Sequence, residues 1–258
     1  MRIAIIGYGK MGKMIEQIAS SLGHSIAAII DPFVTDMPEG IPSGKTITDV
    51  EPALNSADAT IEFTHPSMAA ANIIALAQRK IPTVTGTTGW HEHMDEITKA
   101  VEAADSALLW SSNFSIGVNL FYRIAWYATE LANNFPEYDV GGFEAHHNKK
   151  LDSPSGTAKV LAEGVLSRIE RKKKIVWETM NRKPESDELH FPSLRMGSVP
   201  GQHSLFFDSP VDTIEITHTA RNREGFASGA VQAAQWLTAK NRCGVFTIDE
   251  MLKDILKI

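Results

Sequence analysis

Residues 3–12 read Ile3-Ala4-Ile5-Ile6-Gly7-Tyr8-Gly9-Lys10-Met11-Gly12. The apolar run over 3–6 is what a strand buried on both faces of a parallel sheet shows. It passes straight into a G-x-G-x-x-G turn. Beyond the turn, Met11, Met14, Ile15, Ile18, Ala19 and Leu22 fall on one helical face, and Gly23 suits a helix stop. Residues 25–30 form a second apolar strand with Asp31 at its end, about 20 positions after the last glycine of the turn. Each part has a task in holding a dinucleotide. Gly7 permits the tight turn, Gly9 lets the backbone approach a pyrophosphate, and Gly12 allows helix and strand to pack closely. The helix N-terminus offers N–H groups and partial positive charge. Asp31 is placed to accept hydrogen bonds from ribose hydroxyls and to repel a 2′-phosphate, which favours NADH over NADPH. Lys45, in the irregular stretch after Asp31, is a cation within reach of the cofactor.

The alternation of strand and helix continues. Residues 57–63, 83–85 and 107–110 read as strands, and 66–80 and 91–104 as helices, with Pro66 suited to a first turn. Gly86, Thr87 and Thr88 follow one strand, and Ser111, Ser112, Asn113 and Phe114 follow the next. Ligands of such sheets bind at strand carboxyl ends, so both stretches are candidate contacts for the nicotinamide ribose and carboxamide. After Phe114 the pattern weakens. A long helix is expected over 117–133, strands over 138–145, 204–207 and 213–219, and helices opening near Ser155 and over 227–240. Residues 168–174 are basic and expected to be the solvated end of a helix. Residues 184–191 and 195–201 are expected to be loops. The clean alternation of 213–219 suits an antiparallel sheet with one open face, a face that an oligomer would cover.

Bulk properties exclude several classes. The chain has 258 residues, net charge −6 and 43% hydrophobic content, an ordinary globular composition. The acidic balance argues against a nucleic-acid or anionic-membrane binder. One cysteine, Cys243, allows no intrachain disulfide, which with no signal-peptide or membrane-span pattern points to a cytoplasmic protein.

Residues 144–157, Glu-Ala-His-His-Asn-Lys-Lys-Leu-Asp-Ser-Pro-Ser-Gly-Thr, carry the chemistry. His146, His147 and Lys150 supply proton donors and a cation beside a helix start whose Gly156 and Thr157 N–H groups suit a carboxylate. Lys149, one of an adjacent pair, is expected to face solvent. His203 and His218 lie near strands of the same region and receive no role. Metal chemistry is disfavoured because the side chains of adjacent histidines at a strand end point to opposite faces.

The chain resembles the dihydrodipicolinate reductase family nearly end to end. The residues that carry the resemblance are Gly7 to Gly12, Thr85 to Gly89, Asn113 to Asn119, Glu144 to Thr157, Arg195-Met196-Gly197 and Glu215 to His218. The resemblance implies an α/β fold: a Rossmann-type dinucleotide-binding domain over 1–115, completed by 222–258, and an α+β substrate domain over 116–221. The open mixed sheet of the second domain would build a homotetramer. It implies reduction of a cyclic dicarboxylate by NADH or NADPH. His146 and Lys150 would be catalytic, and His147, Gly156 and Thr157 would bind substrate. Gly7, Tyr8, Gly9, Lys10, Met11, Gly12, Asp31, Gly86, Thr87, Thr88 and Ser111 to Phe114 would contact cofactor. Some members follow the acidic residue with an arginine for the 2′-phosphate. Here Pro32 and Phe33 stand instead, which supports the preference for NADH. A catalytically silent NAD-binding regulator and another small-substrate dehydrogenase are the alternative readings of this scaffold. The retained His146 and Lys150 speak against the first, and the 144–157 block speaks against the second.

Overall fold

In the computed structural model, which describes residues 1–257, the opening apolar run forms β1 (Arg2–Ile6), buried from Ile3 onward. Then follow α1 (Lys10–Ser21), β2 (Ser25–Ile30), β3 (Ser43–Gly44), α2 (Glu51–Leu54), β4 (Ala59–Glu62), α3 (Pro66–Gln78), β5 (Thr83–Thr85), α4 (Met94–Ala103) and β6 (Ala107–Trp110). The second region contains α5 (Ile116–Asn133), β7 (Asp139–His146), α6 (Gly156–Leu166), β8 (Lys174–Val176), β9 (Glu188–His190), β10 (Ser193–Arg195), β11 (Gln202–Asp208) and β12 (Thr213–Thr219). The chain ends with α7 (Glu224–Thr238), β13 (Gly244–Thr247) and α8 (Ile248–Leu256). Contacts divide it into two units, one of Met1–Ser115 with the chain from Glu224 onward, the other of Ile116–Arg223.

The first unit is built on a 7-stranded sheet in the order β13-β6-β5-β4-β1-β2-β3, every pair parallel. Strand order runs outward in both directions from the β1–β4 pair. That reversal opens a crevice at the strand carboxyl ends, where α1 begins. One cluster, with Ala4, Ile6, Ala28, Ile30, Val50 and Leu54, fills the space under α2. Another, with Ile73, Trp90, Ile97, Val101 and Leu108, packs α3 and α4. The expected face of α1 buries Ile15 and Ala19 but leaves Leu22 about half exposed (51%), because Leu22 lies just past the helix and the chain turns away at Gly23 with φ +77°.

The second unit has a mixed four-stranded sheet in the order β10-β7-β11-β12. β10 runs parallel to β7, while β7–β11 and β11–β12 are antiparallel. α5 and α6 share a core with the sheet, formed by Tyr122, Ala125, Leu161, Val165, Leu205 and Phe207 among others.

Three local expectations are corrected. Residues 188–190 and Arg195, expected in loops, belong to β9 and β10, because β8 and β7 offer parallel partners that no local pattern announces. The basic run 168–174 is not a solvated helix end: α6 stops at Leu166, and Lys172 is buried, paired with Asp139 at 2.5 Å and donating to the Ser186 carbonyl at 3.1 Å. Arg171 donates to the carbonyls of Ala132 and Tyr138. Arg171 thereby satisfies the Ala132 carbonyl at the end of α5, where the helix leaves acceptors unpaired.

Candidate active site

Gly7 has φ +90°, and a Cβ built on it would stand 2.1 Å from the Phe63 carbonyl oxygen. A Cβ on Gly12 would stand 2.2 Å from the Gly7 carbonyl oxygen. Only glycine fits either place. Gly9, at the N-cap of α1, has open space where its Cβ would be, which leaves the backbone accessible to an anion. These are the shapes a pyrophosphate needs. Gly9, Lys10, Met11, Gly86, Thr87 and Thr88 line one hollow. Ser111 to Phe114 lie at the end of the neighbouring strand β6 but do not line it. Ser111 and Asn113 hydrogen-bond one another, and Phe114 is 1% exposed beside Phe63.

Asp31 is buried. Its Oδ2 accepts from the Tyr8 N–H at 2.7 Å, and its Oδ1 from the N–H groups of Phe33 and Val34 at 2.8 and 3.0 Å. The carboxylate therefore organises the glycine turn itself and retains little free acceptor capacity. Tyr8 is also buried, and its hydroxyl donates to Glu16.

In the second unit, sheet pairing assembles a polar row that the linear order hides. Ser193, Glu144, His203 and His218 pair across all four strands, and Arg195 pairs with His146 in β10–β7. Glu144 is fully buried, and its Oε1 accepts from the Ser155 N–H at 3.0 Å, Ser193 Oγ at 2.6 Å and Arg195 Nη2 at 2.8 Å. His146 Nδ1 stands 2.9 Å from Oε2. The ring N–H does not aim straight at that oxygen, so a small rotation would complete the bond. Ser155 caps α6 by accepting from the Ala158 N–H at 3.1 Å, and its Oγ lies 3.2 Å from His203 Nε2. Gly156 and Thr157 are the first residues of that helix. His147, beyond the end of β7, is half-buried with an unpartnered Nδ1. Lys149 is exposed, and Lys150 is half-buried with Nζ 2.8 Å from Asp152. The structure thus joins His146 to the start of α6 through Glu144 and Ser155, and turns Lys150 onto Asp152.

Burial by itself raises the Glu144 carboxyl, but the His146 ring 2.9 Å away, together with hydrogen bonds from Ser155, Ser193 and Arg195, outweighs it and holds the group far below the usual carboxylate range. Burial, reinforced by the neighbouring His146, pushes His203 down to about 3, and Glu144 only partly opposes this. Burial also lowers His218. Glu144, His146 and His203 form a group of metal-ligand types within 4.8 Å. However, the Arg195 guanidinium already neutralises that carboxylate, a poor neighbour for a metal cation.

These shifts have a consequence in acid. A histidine depressed in the folded state stays neutral there, while the unfolded chain binds a proton below 6.5. Stability then falls as pH drops from about 6.5 toward 3. Glu144 acts in the same direction: its contribution is complete above about 4.3 and is lost below. His203→Gln should flatten the pH dependence of urea-unfolding stability between about pH 6.5 and 4.5 by up to one proton, or about 1.4 kcal/mol per pH unit. An unchanged slope would reject the assignment.

Glu144, Ser193, Arg195 and His203 are functional candidates that pattern reading passes over. Glu144 and Arg195 stand in short motifs, but only strand pairing reveals that they meet.

The family model for the N-terminus of dihydrodipicolinate reductase matches residues 1–114, and the one for its C-terminus matches 117–252. The chain is 37% identical over 257 residues to 4-hydroxy-tetrahydrodipicolinate reductase of Christiangramia forsetii, covering 100% of both chains. It is 33% identical to the protein of that name from Archaeoglobus fulgidus, covering 98% of this chain and 100% of that one. A solved dipicolinate-bound dihydrodipicolinate reductase from Paenisporosarcina sp. TG-14 superposes with a TM-score of 0.76 at 22% identity, over 96% of this chain and 97% of that one. With two family models spanning both units and relatives matched end to end, the chain belongs to the dihydrodipicolinate reductase family.

Proposed function

We propose that this protein reduces 4-hydroxy-tetrahydrodipicolinate to tetrahydrodipicolinate with NADH or NADPH, in diaminopimelate and lysine biosynthesis. The observation that carries the proposal is the junction of β7 and α6, where the capped helix start and the buried Glu144–Arg195 pair are linked by hydrogen bonds and His146 Nδ1 stands 2.9 Å from the same carboxylate. The names of the full-length relatives supply the substrate.

Residues 7–12 and 86–88 hold the pyridine nucleotide, with further contacts from 111–114. When bound, the nucleotide supplies a hydride. The protein's own work is to bind, orient and protonate. The Gly156 and Thr157 N–H groups, at the positive end of α6, hold one carboxylate of the substrate. His147 orients the other. Lys150 and His146 deliver the proton that quenches negative charge on the reduced ring. For Lys150 to donate, Asp152 must release it. The 2.8 Å pair is half open to water, where such a pair is weak.

Asp31 and the absence of an arginine after it support NADH as the favoured cofactor, since a 2′-phosphate would be brought to a carboxylate with no cation directly following. We further propose a homotetramer assembled over the second unit's sheet, whose edge strand β12 is largely exposed and carries Ile214 at 51%, and a cytoplasmic location.

The test is nicotinamide oxidation followed by absorbance, with the cyclic substrate generated in the cuvette by dihydrodipicolinate synthase from pyruvate and aspartate semialdehyde. Turnover is expected with both cofactors and a higher kcat/KM with NADH. Folded protein that binds NADH but turns over with neither would overturn the reading. A preference for NADPH would overturn the role given to Asp31.

A further inference from the structure

We propose that Glu144 is a positioning residue that sets the tautomer of His146, with the proton on Nδ1 and Nε2 left as the working nitrogen. The inference rests on the reductase reading above. The two oxygens of Glu144 are used unequally. Oε1 takes three donors: the Ser155 N–H, the Ser193 hydroxyl and the Arg195 guanidinium. Among the described residues Oε2 faces imidazoles alone, His146 Nδ1 at 2.9 Å, a small rotation short of a hydrogen bond, and His203 Nε2 at 3.7 Å.

An ionised carboxylate has no proton to give, and Arg195 keeps this one ionised. The nitrogen 2.9 Å away must therefore carry hydrogen, since two lone pairs facing each other in a buried site would be repelled. A neutral imidazole has a single N–H, so placing it on Nδ1 leaves Nε2 bare. Once His146 gives the Nε2 proton of its charged form to the substrate carbon, the ring remains as the tautomer that Glu144 stabilises.

The surroundings of Nε2 agree. Among the described residues no group hydrogen-bonds Nε2. Gly201 lies beside it, and a Cβ built there would stand 3.1 Å from Nε2. The φ of Gly201, +149°, also favours glycine. His203 does not compete for the role. It sits edge-on to His146 at 5.2 Å and 76°, is 4% exposed, and its Nε2 is closer to Ser155 than to Glu144.

The unequal use of the oxygens makes Glu144→Gln an informative variant. Three donors at the Oε1 position would hold the amide oxygen there. The NH₂ group would then occupy the Oε2 position and donate to His146 Nδ1, forcing the proton to Nε2. The substitution inverts the tautomer rather than only removing a charge.

The experiment uses the full chain labelled with ¹⁵N-histidine. His146 signals are identified by their loss in His146→Gln, and long-range ¹H–¹⁵N spectra are recorded at alkaline pH. Wild type should show Nδ1–H and Glu144→Gln should show Nε2–H. In the coupled assay, kcat of Glu144→Gln should fall by about 10²-fold or more, with NADH KM unchanged. Glu144→Asp, which keeps the charge, should keep Nδ1–H and recover part of kcat. The proposal is overturned by Nε2–H in wild type, by Nδ1–H in folded Glu144→Gln, or by an inverted tautomer with kcat within about threefold of wild type, a barrier change under ~0.7 kcal/mol. If Glu144→Gln fails to fold, the wild-type and Glu144→Asp spectra decide. If wild type shows no turnover, the reductase reading fails while the spectra still test Glu144.

Discussion

Lys150→Ala is expected to lower kcat by roughly 10²–10⁴-fold, the range for loss of a positioned acid, and His146→Ala by a similar factor. NADH affinity should be unchanged in both. The separation follows from where the residues sit. His146 and Lys150 belong to the unit of residues 116–223, while the glycine turn and Asp31 belong to the other. A side chain that acts on protons contributes to the transition state more than to nucleotide binding, so its loss appears in kcat. Lys150→Ala also frees Asp152, whose pairing with Lys150 holds its carboxyl below the usual range. Because Asp152 is exposed, water solvates it at little cost, and the variant should fold normally. His146→Ala removes a ring that faces the buried Glu144, so some loss of stability is expected beside the loss of rate. Fluorescence titration with NADH and steady-state kinetics on the same preparations check both. A variant that lost cofactor affinity alone, with kcat preserved, would show that the residue belongs to a different site.

Gly7→Ala is expected to abolish NADH binding and to destabilise the protein by about 3–5 kcal/mol. Two independent effects add. A φ of +90° is unfavourable for any residue with a Cβ. The new carbon would also lie 2.1 Å from the Phe63 carbonyl oxygen. That oxygen is backbone at the end of β4 and cannot rotate away, so the turn must move. The Gly7 N–H bond to the Ile30 carbonyl, 2.8 Å long, and the Tyr8 N–H bond to Asp31 would be disturbed together. The geometry that presents the N-terminus of α1 to a pyrophosphate depends on both. Urea unfolding and NADH titration measure the two losses. Binding retained within about threefold, under ~0.7 kcal/mol, would show that the turn does not hold the nucleotide. Gly9 makes a useful contrast, because a Cβ there meets no atom of the chain. A defect at Gly9 would report contact with the ligand rather than damage to the fold.

The first unit was readable because its signals are local. A buried strand, a glycine turn, an amphipathic helix and an acidic strand end occur within some thirty residues, and each has its own chemical requirement. The helices of the second unit were readable for the same reason. The short strands β9 and β10 were not. Three residues carry almost no periodic signal, and these segments are strands only because β8 and β7 present free edges to them. The basic run 168–174 was misleading in the same way: Lys172 is buried because Asp139 and the Ser186 carbonyl, distant in sequence, come to meet it.

The sequence by itself determined that this chain carries a dinucleotide turn, an alternating strand–helix domain, and a cluster of proton donors ahead of a helix start. Those properties depend on spacing, composition and backbone preference, which act over a few residues. Only the tertiary structure decided that Asp31 ties down the glycine turn, that Lys150 rests on Asp152, and that Glu144, Arg195, Ser193 and His203 gather behind His146. Strand pairing made that last choice. It brought residues up to 59 positions apart, 144 to 203, into one register, and burial then turned the donors of Ser155, Ser193 and Arg195 onto the one carboxylate of Glu144.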